Sequence, residues 1–302
     1  MAGAYGMGVR IARKTAITLG LIAVSSVVLG RAGGAQQPLN AELFQLSGSC
    51  AAPDSTVSSS APLSNLATIL KNRMKVRVLA IGNSVSGGIN RLSGQQRFTD
   101  ELEEILERSV KDLDLVFTNR GVSGEPTSTT ADRLKHEIAV HDPDLVLWQV
   151  GTYDALSQMP VAEFEAVFAG AVDWIKSHGK DLVIVGLQYT TGLSRDAHYR
   201  AIKDAVARVA ARHNVLLVRR YETVQFIATA SREQAKLAKD DFLMTELGYK
   251  CMAEHIARAL VVNIFARRAS EVQGKLLAKG LPAAASIPPA QGLPGNAGTP
   301  KQ

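Results

Sequence analysis

Residues 76–88, VRVLAIGNSVSGG, decide how the rest of this sequence is interpreted. The run VRVLAIG is rich in β-branched and aliphatic residues and has the length of a buried strand. A glycine-rich turn follows and places Ser84 directly after that strand, where an unusual backbone conformation can present both a hydroxyl and an N–H group. The stretch therefore predicts a strand that ends at a candidate nucleophilic serine.

Four more strand-like runs follow along the chain, and amphipathic stretches with helical periodicity separate them. The runs are LDLVFT (113–118), DLVLWQVG (144–151), DLVIVGL (181–187) and NVLLVRR (214–220). Strands that alternate with helices predict a parallel sheet with helices on both faces. We therefore expect a three-layer α/β/α sandwich with a five-stranded parallel sheet and a last helix from about Glu246 to Arg268.

The first 35 residues have the order of a secretory signal, with bases first, then a short apolar run and then small residues. Arg10, Arg13 and Lys14 precede TAITLGLIAVSSVVLG, and RAGGAQQ follows it. We expect cleavage after Ala35 and a periplasmic or secreted protein with no stable membrane span. The alternative is a leader that stays as a membrane anchor, although a run of roughly 15 residues is shorter than the roughly 20 that a bilayer core requires.

The net charge of +6 does not indicate a nucleic-acid-binding protein. Four bases and no acids lie in the first 35 residues, so that 30 bases and 28 acids remain in the rest of the chain. The sequence also lacks a basic stripe with interleaved aromatics, a Cys/His cluster with zinc spacing and a phosphate-binding loop. We expect no nucleic acid, metal or other cofactor.

Composition divides the chain into four parts. A signal peptide (1–35) is followed by a Ser/Pro/Ala-rich arm (36–70), an α/β domain (71–268) and an Ala/Pro/Gly-rich tail (269–302) that is expected to be disordered. The chain has two cysteines, Cys50 and Cys251. In an oxidising compartment we expect them to pair, and the alternative is two unrelated buried thiols.

Four segments at strand ends carry a family resemblance: GNSVSGG, TNRGVSGE, QVGTYDAL and DDFLMTELGY. In this order they resemble the SGNH, or GDSL-type, hydrolases, over roughly residues 75–262. The resemblance implies a flavodoxin-like fold and hydrolysis of acyl esters, on cell-envelope or carbohydrate material. It implies that Ser84 is the nucleophile and Asp240 the acid. The N–H groups of Ser84 and Gly121, with an asparagine side chain, would form the oxyanion hole.

Three positions depart from the family pattern, and the mildest change is Asn83 in place of the usual aspartate before the serine. Tyr153 stands where the family has the oxyanion asparagine, and Leu243 stands where it has the catalytic histidine. Leucine cannot accept the serine proton, and loss of the triad histidine lowered turnover about 10⁶-fold in another serine hydrolase. A lost oxyanion donor costs roughly 10²- to 10³-fold more unless the Tyr153 hydroxyl replaces it. The sequence therefore predicts impaired or rerouted ester hydrolysis.

His198 is the one candidate for a substitute base, because it follows the loop after the fourth strand, on the catalytic side. The alternative is an exposed residue in the first turn of a helix. Tyr153 and Gln188 could line a pocket or have structural roles, Ser84 could be only a turn residue, and Asp240 could simply favour the start of the last helix.

Three hypotheses stay open at this point. The protein is a weak serine esterase, or an exported binding protein that keeps a pocket for a small-molecule or carbohydrate ester without the chemistry, or a membrane-tethered interaction module. The sequence does not predict the oligomeric state.

Overall fold

The strands predicted from the sequence form one parallel sheet in a computed structural model, which describes residues 44–72, 75–82, 98–110, 113–230 and 246–278. The sheet has the order β2-β1-β3-β4-β5, and every neighbouring pair is parallel. The strands are β1 (Lys75–Gly82), β2 (Asp114–Gly121), β3 (Leu145–Gln149), β4 (Asp181–Val185) and β5 (Leu216–Val218). The expected five-stranded parallel sheet is confirmed.

Helices cover both faces of this sheet, which confirms the expected three layers. They are α1 (Asp54–Val57), α2 (Ser64–Asn72), α3 (Phe98–Ser109), α4 (Thr127–His141), α5 (Thr152–Leu156), α6 (Val161–Ser177), α7 (Ala197–Arg212), α8 (Arg220–Ala230) and α9 (Glu246–Ala278). Alternate residues of a strand point to opposite faces. On β1, Leu79 and Ile81 pack with α4, α6 and α7, whereas Val78 and Ala80 pack with α2, α3 and α9.

The central strand β3 is buried along its whole length, as expected for a parallel strand covered on both faces. Its Trp148 is 0% exposed and meets the ring of Phe168 edge-on at 5.2 Å between centroids. Phe168 in turn stacks on Phe164, so α6 is held to the sheet by an aromatic cluster. Such pairs stabilise by roughly 0.5–1.5 kcal/mol beyond the area they bury.

The segment before α2 covers the outer edge of β5. Ser58 forms an antiparallel bridge with Val218, and the Ser59 N–H donates to the Leu217 carbonyl at 2.9 Å. The Arg219 N–H donates to the Val57 carbonyl at 2.8 Å. An edge strand leaves backbone groups unpaired, so this segment closes an edge that would otherwise be open to other chains.

Contacts with α9 hold the same segment in place, and a disulfide between Cys50 and Cys251 confirms the predicted pairing. The His255 Nε2–H donates to the Cys50 carbonyl at 2.8 Å, and the Glu254 carboxylate accepts from the Ser47 N–H at 2.8 Å. His255 is 2% exposed, and burial lowers its pKa, so the ring is held neutral. The disulfide thus lies among buried polar contacts that anchor the residues before α1.

Two boundaries differ from those inferred from composition. The border between arm and domain at residues 70 and 71 falls inside α2, whose Leu66 N–H donates to Asp181 Oδ2 at 2.7 Å, so the described part of the arm belongs to the domain. The last helix continues past Arg268 to Ala278, because SEVQGKLLA consists mostly of residues that favour helices. The leader (1–35) and the rest of the tail lie outside the described residues. In the part of the chain that is described, no helix is both long and apolar enough to cross a bilayer.

Candidate active site

The candidate site lies at the carboxyl ends of β1, β2 and β3, where Gly82 is in register with Gly121 on one side and Gln149 on the other. Reactive groups of open parallel sheets gather at this edge. The structure describes four of the residues expected there: Gly121, Tyr153, Gln188 and His198. The other three, Ser84, Asp240 and Leu243, fall in 83–97 and 231–245, outside the described residues.

Gly82 ends β1 in a conformation that only glycine adopts without strain, with φ of +108°. A Cβ at this position would lie 2.1 Å from the Gln149 carbonyl oxygen and 2.8 Å from Trp148 Cδ1. The Gly82 carbonyl accepts from the Val122 N–H at 3.0 Å, which ties the end of β1 to the loop after β2. Gly82, two residues before Ser84 in the sequence, is therefore closely confined by β2 and β3.

The N–H of Gly121 is already used within the loop. It donates to Asn119 Oδ1 at 3.0 Å, so it is not directed toward an open site as the resemblance implied. Gly124, three residues later, has φ of +75°, and a Cβ there would lie 3.7 Å from Tyr153 Cε2. Gly124 is thus the glycine of this loop that lies beside the position of the oxyanion asparagine, and sequence reasoning missed it.

Asp154 joins the loop after β2 to α5. It is 1% exposed, and its carboxylate accepts from the Thr127 N–H at 2.8 Å and the Thr127 hydroxyl at 2.7 Å. Thr127 is the first residue of α4, and Pro126 before it provides no side-chain cap. The first N–H groups of a helix have no partner within that helix. Asp154 on α5 therefore caps α4 by accepting from the Thr127 N–H.

A second buried acid stiffens the same loop. Glu125 is 7% exposed and accepts from Arg133 Nε at 3.0 Å, from Arg133 Nη2 at 2.8 Å and from the Thr130 hydroxyl at 2.8 Å. The two-pronged contact to the guanidinium raises the pKa of Arg133. Arg133 Nη2 also donates to the Arg120 carbonyl at 2.7 Å, so one guanidinium connects both ends of the loop.

Tyr153 is half-buried on α5, a short helix that starts at the tight turn of Gly151. Gly151 has φ of +94°, and a Cβ there would lie 2.5 Å from Leu187 Cδ1, so this turn packs directly on the loop that follows β4. The Thr152 hydroxyl oxygen accepts from the Gln188 N–H at 3.2 Å. These contacts place α5 against the loop that carries Gln188.

Gln188 is 5% exposed, so it is bound inside the protein and does not line an open pocket wall. Its Oε1 accepts from Arg220 Nη2 at 3.0 Å, and its carbonyl accepts from the Tyr199 hydroxyl at 2.5 Å. Burial raises the pKa of Tyr199 to about 12 and lowers that of Arg220 to about 10. A buried guanidinium and a neutral phenol thus hold the loop that carries Gln188.

Arg220 was missed by sequence reasoning. It begins α8 directly after the exposed Arg219, and the residue types alone do not distinguish the two. The buried position of Arg220 follows from the turn between β5 and α8, which is not visible in the sequence.

All six histidines of the chain lie in the described residues, so each can be assessed as a base. His136 is exposed on α4, His141 contacts Glu137 at 3.2 Å, and His178 stacks on Trp174. His213 pairs with Asp173 at 2.7 Å. With His255 bound to the Cys50 carbonyl, these five rings are exposed or engaged elsewhere.

His198 and His213 both have an Nε2 atom that is buried without a hydrogen-bond partner among the described residues. They differ in position, because His213 follows the last residue of α7 and pairs with Asp173, whereas His198 is half-buried in the first turn of α7. The next residue, Tyr199, bonds to Gln188, and α7 packs against α5, which carries Tyr153. The ring therefore belongs to the same edge of the sheet as the candidate site.

Comparison with known proteins gives both a family and a fold. A family model described as "Non-GDSL lipase-like family" matches residues 49–265. TesA is similar in structure at 20% identity, with a TM-score of 0.52 over 61% of this chain and 97% of that chain. No curated protein sequence matches.

Two further solved structures are similar to this chain. The acetylxylan esterase Axe2 from Geobacillus stearothermophilus matches at 21% identity, with a TM-score of 0.53 over 61% of this chain and 94% of that one. A lipase/acylhydrolase from Enterococcus faecalis matches at 19%, with a TM-score of 0.52 over 62% and 95%. At these identities the structural likeness shows the SGNH hydrolase fold.

Proposed function

Because this chain belongs to the Non-GDSL lipase-like family, we propose that it is an exported SGNH-type hydrolase that acts on small acyl or carbohydrate esters with impaired catalysis. The single observation that carries this proposal is the position of His198 in the first turn of α7, with an Nε2 atom that is buried and has no hydrogen-bond partner among the described residues. An imidazole in this condition at the catalytic edge of the sheet is suited to accept a proton. Support for a carbohydrate ester comes from the likeness to an acetylxylan esterase.

In the proposed reaction the Ser84 hydroxyl attacks the acyl carbon of the ester and passes its proton to His198. The oxyanion collapses to an acyl-serine, and the alcohol leaves with the proton from the imidazole. Water, deprotonated by the same ring, then releases the acid and restores the serine. Because Leu243 stands in the usual position of the base, this reaction lacks the ordinary aspartate–histidine pair. We therefore expect slow turnover.

The oxyanion hole of this proposal differs from that of the family. Since the Gly121 N–H donates to Asn119, we assign the backbone donor to the N–H of Ser84. The Tyr153 hydroxyl would replace the asparagine amide as the side-chain donor. Asp154, Glu125 and Arg133 are positioning residues that hold this loop against α5.

A binding protein without catalysis is the second candidate, and it is favoured by the engaged Gly121 N–H and by Leu243. The decisive experiment compares p-nitrophenyl acetate hydrolysis by wild type, Ser84→Ala, His198→Ala and the matched control His136→Ala. We expect kcat to fall at least about tenfold in Ser84→Ala and His198→Ala, because general base catalysis contributes 10²- to 10⁴-fold. The control His136→Ala should keep the wild-type kcat.

The pH profile separates a base from a merely structural histidine. If His198 accepts the proton, wild type and His198→Ala differ in the pH dependence of hydrolysis, whereas a merely structural histidine would leave the two pH profiles parallel. If Ser84→Ala loses ester hydrolysis and His198→Ala does not, water and not His198 is the base. Equal rates for wild type and Ser84→Ala would leave the binding protein as the function.

Export is tested separately. We propose that the leader is cleaved and that the mature chain begins near Gln36 in the periplasm or medium. N-terminal sequencing of protein from the native host checks this. Residues 1–35 found intact in the membrane fraction would show instead that the leader is an anchor.

A further inference from the structure

A polar cleft of about 230 Å³ lies between α9 and the segment that covers the outer edge of β5. Four serines line the side of that segment, and α9 contributes the other side; the residues are Ser55, Ser58, Ser59, Ser60, Arg258 and Val262. Nothing in the proposed reaction uses this cleft.

The two sides of the cleft are bonded to each other. The Ala61 N–H donates to Asn263 Oδ1 of α9 at 3.1 Å. Arg258 donates to the Asp54 carboxylate through Nε at 3.0 Å and through Nη2 at 2.9 Å. Since the disulfide and the edge of β5 hold the same segment, the cleft is formed before a ligand arrives, and binding requires little ordering of the chain.

Hydroxyl groups are the polar groups that the serine side offers. Its backbone is largely used, because the Ser58 N–H donates to the Asp54 carbonyl at 3.1 Å and the Ser59 N–H donates to the Leu217 carbonyl at 2.9 Å. An extended peptide therefore cannot pair with this segment as a further strand. Ser55 and Ser60 are exposed and Ser58 is half-buried, and a serine hydroxyl can both donate and accept.

The cleft carries no net charge. Asp54 and Arg258 are the acid and the base of its lining, and they pair with each other. A charged ligand would lose hydration there without meeting an unpaired opposite charge, so the lining favours a neutral one. Asp54 is 57% exposed on its side chain, so its oxygens can also accept from a ligand hydroxyl. Val57 and Val262 add an apolar surface to the same cleft.

This cleft is separate from the candidate active site. Met252 of α9 lines a small gap together with Gln149, at the carboxyl ends of the strands. Asn263, which lines the cleft, lies eleven residues further along the same helix, a rise of roughly 16 Å. A ligand in the cleft would therefore leave the carboxyl edge of the sheet open.

We propose that this cleft binds a neutral glycan chain. The hydroxyl groups of a sugar ring bond to Ser58, Ser60 and the Asp54 carboxylate, and the C–H face of the ring lies on Val262. The inference goes beyond the proposed ester hydrolysis, because it assigns a second, non-catalytic site that holds the protein on a polysaccharide. It does not depend on turnover at Ser84.

The test is calorimetric titration of the wild-type protein with cellohexaose, xylohexaose and chitohexaose, which are neutral and carry no ester to be hydrolysed. We expect saturable binding of at least one of them with a Kd below about 1 mM. Raising the salt from about 0.05 to 0.5 M should leave that Kd within about twofold, because a neutral ligand has no charge to be screened. Absence of binding to all three, or tighter binding of hexagalacturonic acid than of every neutral hexamer, would overturn the proposal.

Matched variants locate the ligand. Ser60→Phe places a ring in the cleft and should weaken binding at least about tenfold, whereas Ser177→Phe makes the same change at an exposed serine of α6 and should bind like wild type. Ser58→Ala combined with Ser60→Ala removes two hydroxyls without adding bulk and should weaken binding at least about fivefold. This double variant decides the matter if Ser60→Phe does not fold. Oligosaccharide binding that both cleft variants retain would place the ligand elsewhere, and the proposal would fail.

Failure of this proposal can be told apart from failure of the catalytic one. Because the cleft lies away from the strand ends, Ser60→Phe should hydrolyse p-nitrophenyl acetate at the wild-type rate while it loses the oligosaccharide. Glycan binding without ester hydrolysis in the wild type would retain the cleft site and remove the catalytic proposal. Hydrolysis without glycan binding would do the reverse.

Discussion

Replacing Asp154 by alanine is expected to destabilise the protein strongly, although this residue lies in neither the base nor the nucleophile position. The carboxylate is 1% exposed and accepts two hydrogen bonds from Thr127, at 2.8 and 2.7 Å. A hydrogen bond to a charged group contributes about 1.5–3 kcal/mol, and its removal leaves two buried donors unsatisfied. Relief of the cost of burying the carboxylate offsets part of the loss. We expect the free energy of unfolding to fall by about 2–4 kcal/mol.

The origin of this loss can be isolated with Thr127→Val, which removes the hydroxyl but keeps the backbone N–H and the side-chain shape. That variant should lose about 1–2 kcal/mol. Because both changes affect one network, the double variant should lose at least about 1 kcal/mol less than the sum of the single losses. Guanidinium-induced unfolding, followed by circular dichroism on all four proteins, measures these free energies.

Two results would refute the reasoning. Asp154→Ala within about 0.5 kcal/mol of wild type would mean that the carboxylate does not cap α4 in solution, since surface changes are of that size. Strictly additive losses would mean that Asp154 and Thr127 do not interact. A folded Asp154→Ala protein should also bind ester ligands more weakly, because the loop with Gly124 would no longer be held against Tyr153.

The disulfide between Cys50 and Cys251 spans 201 residues, so replacing both cysteines by serine should lower the free energy of unfolding by roughly 5 kcal/mol in the chain-entropy model; equal denaturation midpoints would contradict this. Burial lowers the pKa of His255 below 6.5, so the unfolded chain takes up more protons in acid and stability should fall as the pH drops below about 6.5. The free energy of unfolding, measured against pH, should change less for His255→Gln than for wild type, and this variant can still donate to the Cys50 carbonyl. Parallel curves for the two proteins would exclude His255 as the cause. Leu243→His combined with Tyr153→Asn should raise ester hydrolysis by orders of magnitude, since it restores the base and the oxyanion donor that the family pattern contains. A folded double variant no faster than wild type would show that the pocket lacks more than these two groups.

Much of the architecture could be predicted because it depends on local patterns. The run VRVLAIG and its four counterparts are apolar over the length of a strand, and amphipathic stretches separate them, which leaves few arrangements besides a parallel sheet between helix layers. The observed β1 and β4 begin within one residue of their predicted starts. Cys50 and Cys251 could be paired because they are the two cysteines of the chain.

The site could be predicted only in part. Gly121 was chosen from its place in TNRGVSGE, but its N–H donates to Asn119, and Gly124 lies beside Tyr153. Both glycines fit the pattern equally well, since the sequence does not contain backbone dihedrals. The roles of Ser84, Asp240 and Leu243 stay predictions.

The sequence by itself determined the sheet, its layers and the residue types at the strand ends, because hydrophobic periodicity and glycine positions act over a few residues. Tertiary structure decided which polar groups are buried and what they bind: Arg220 is enclosed while Arg219 is exposed, and Asp154 caps a helix that starts 27 residues earlier. Burial and hydrogen-bond partners depend on elements far apart in the chain, so adjacent residues of the same type can have opposite environments. That is the physical reason why the sequence could propose the chemistry of this site and only the folded chain shows which groups are available to perform it.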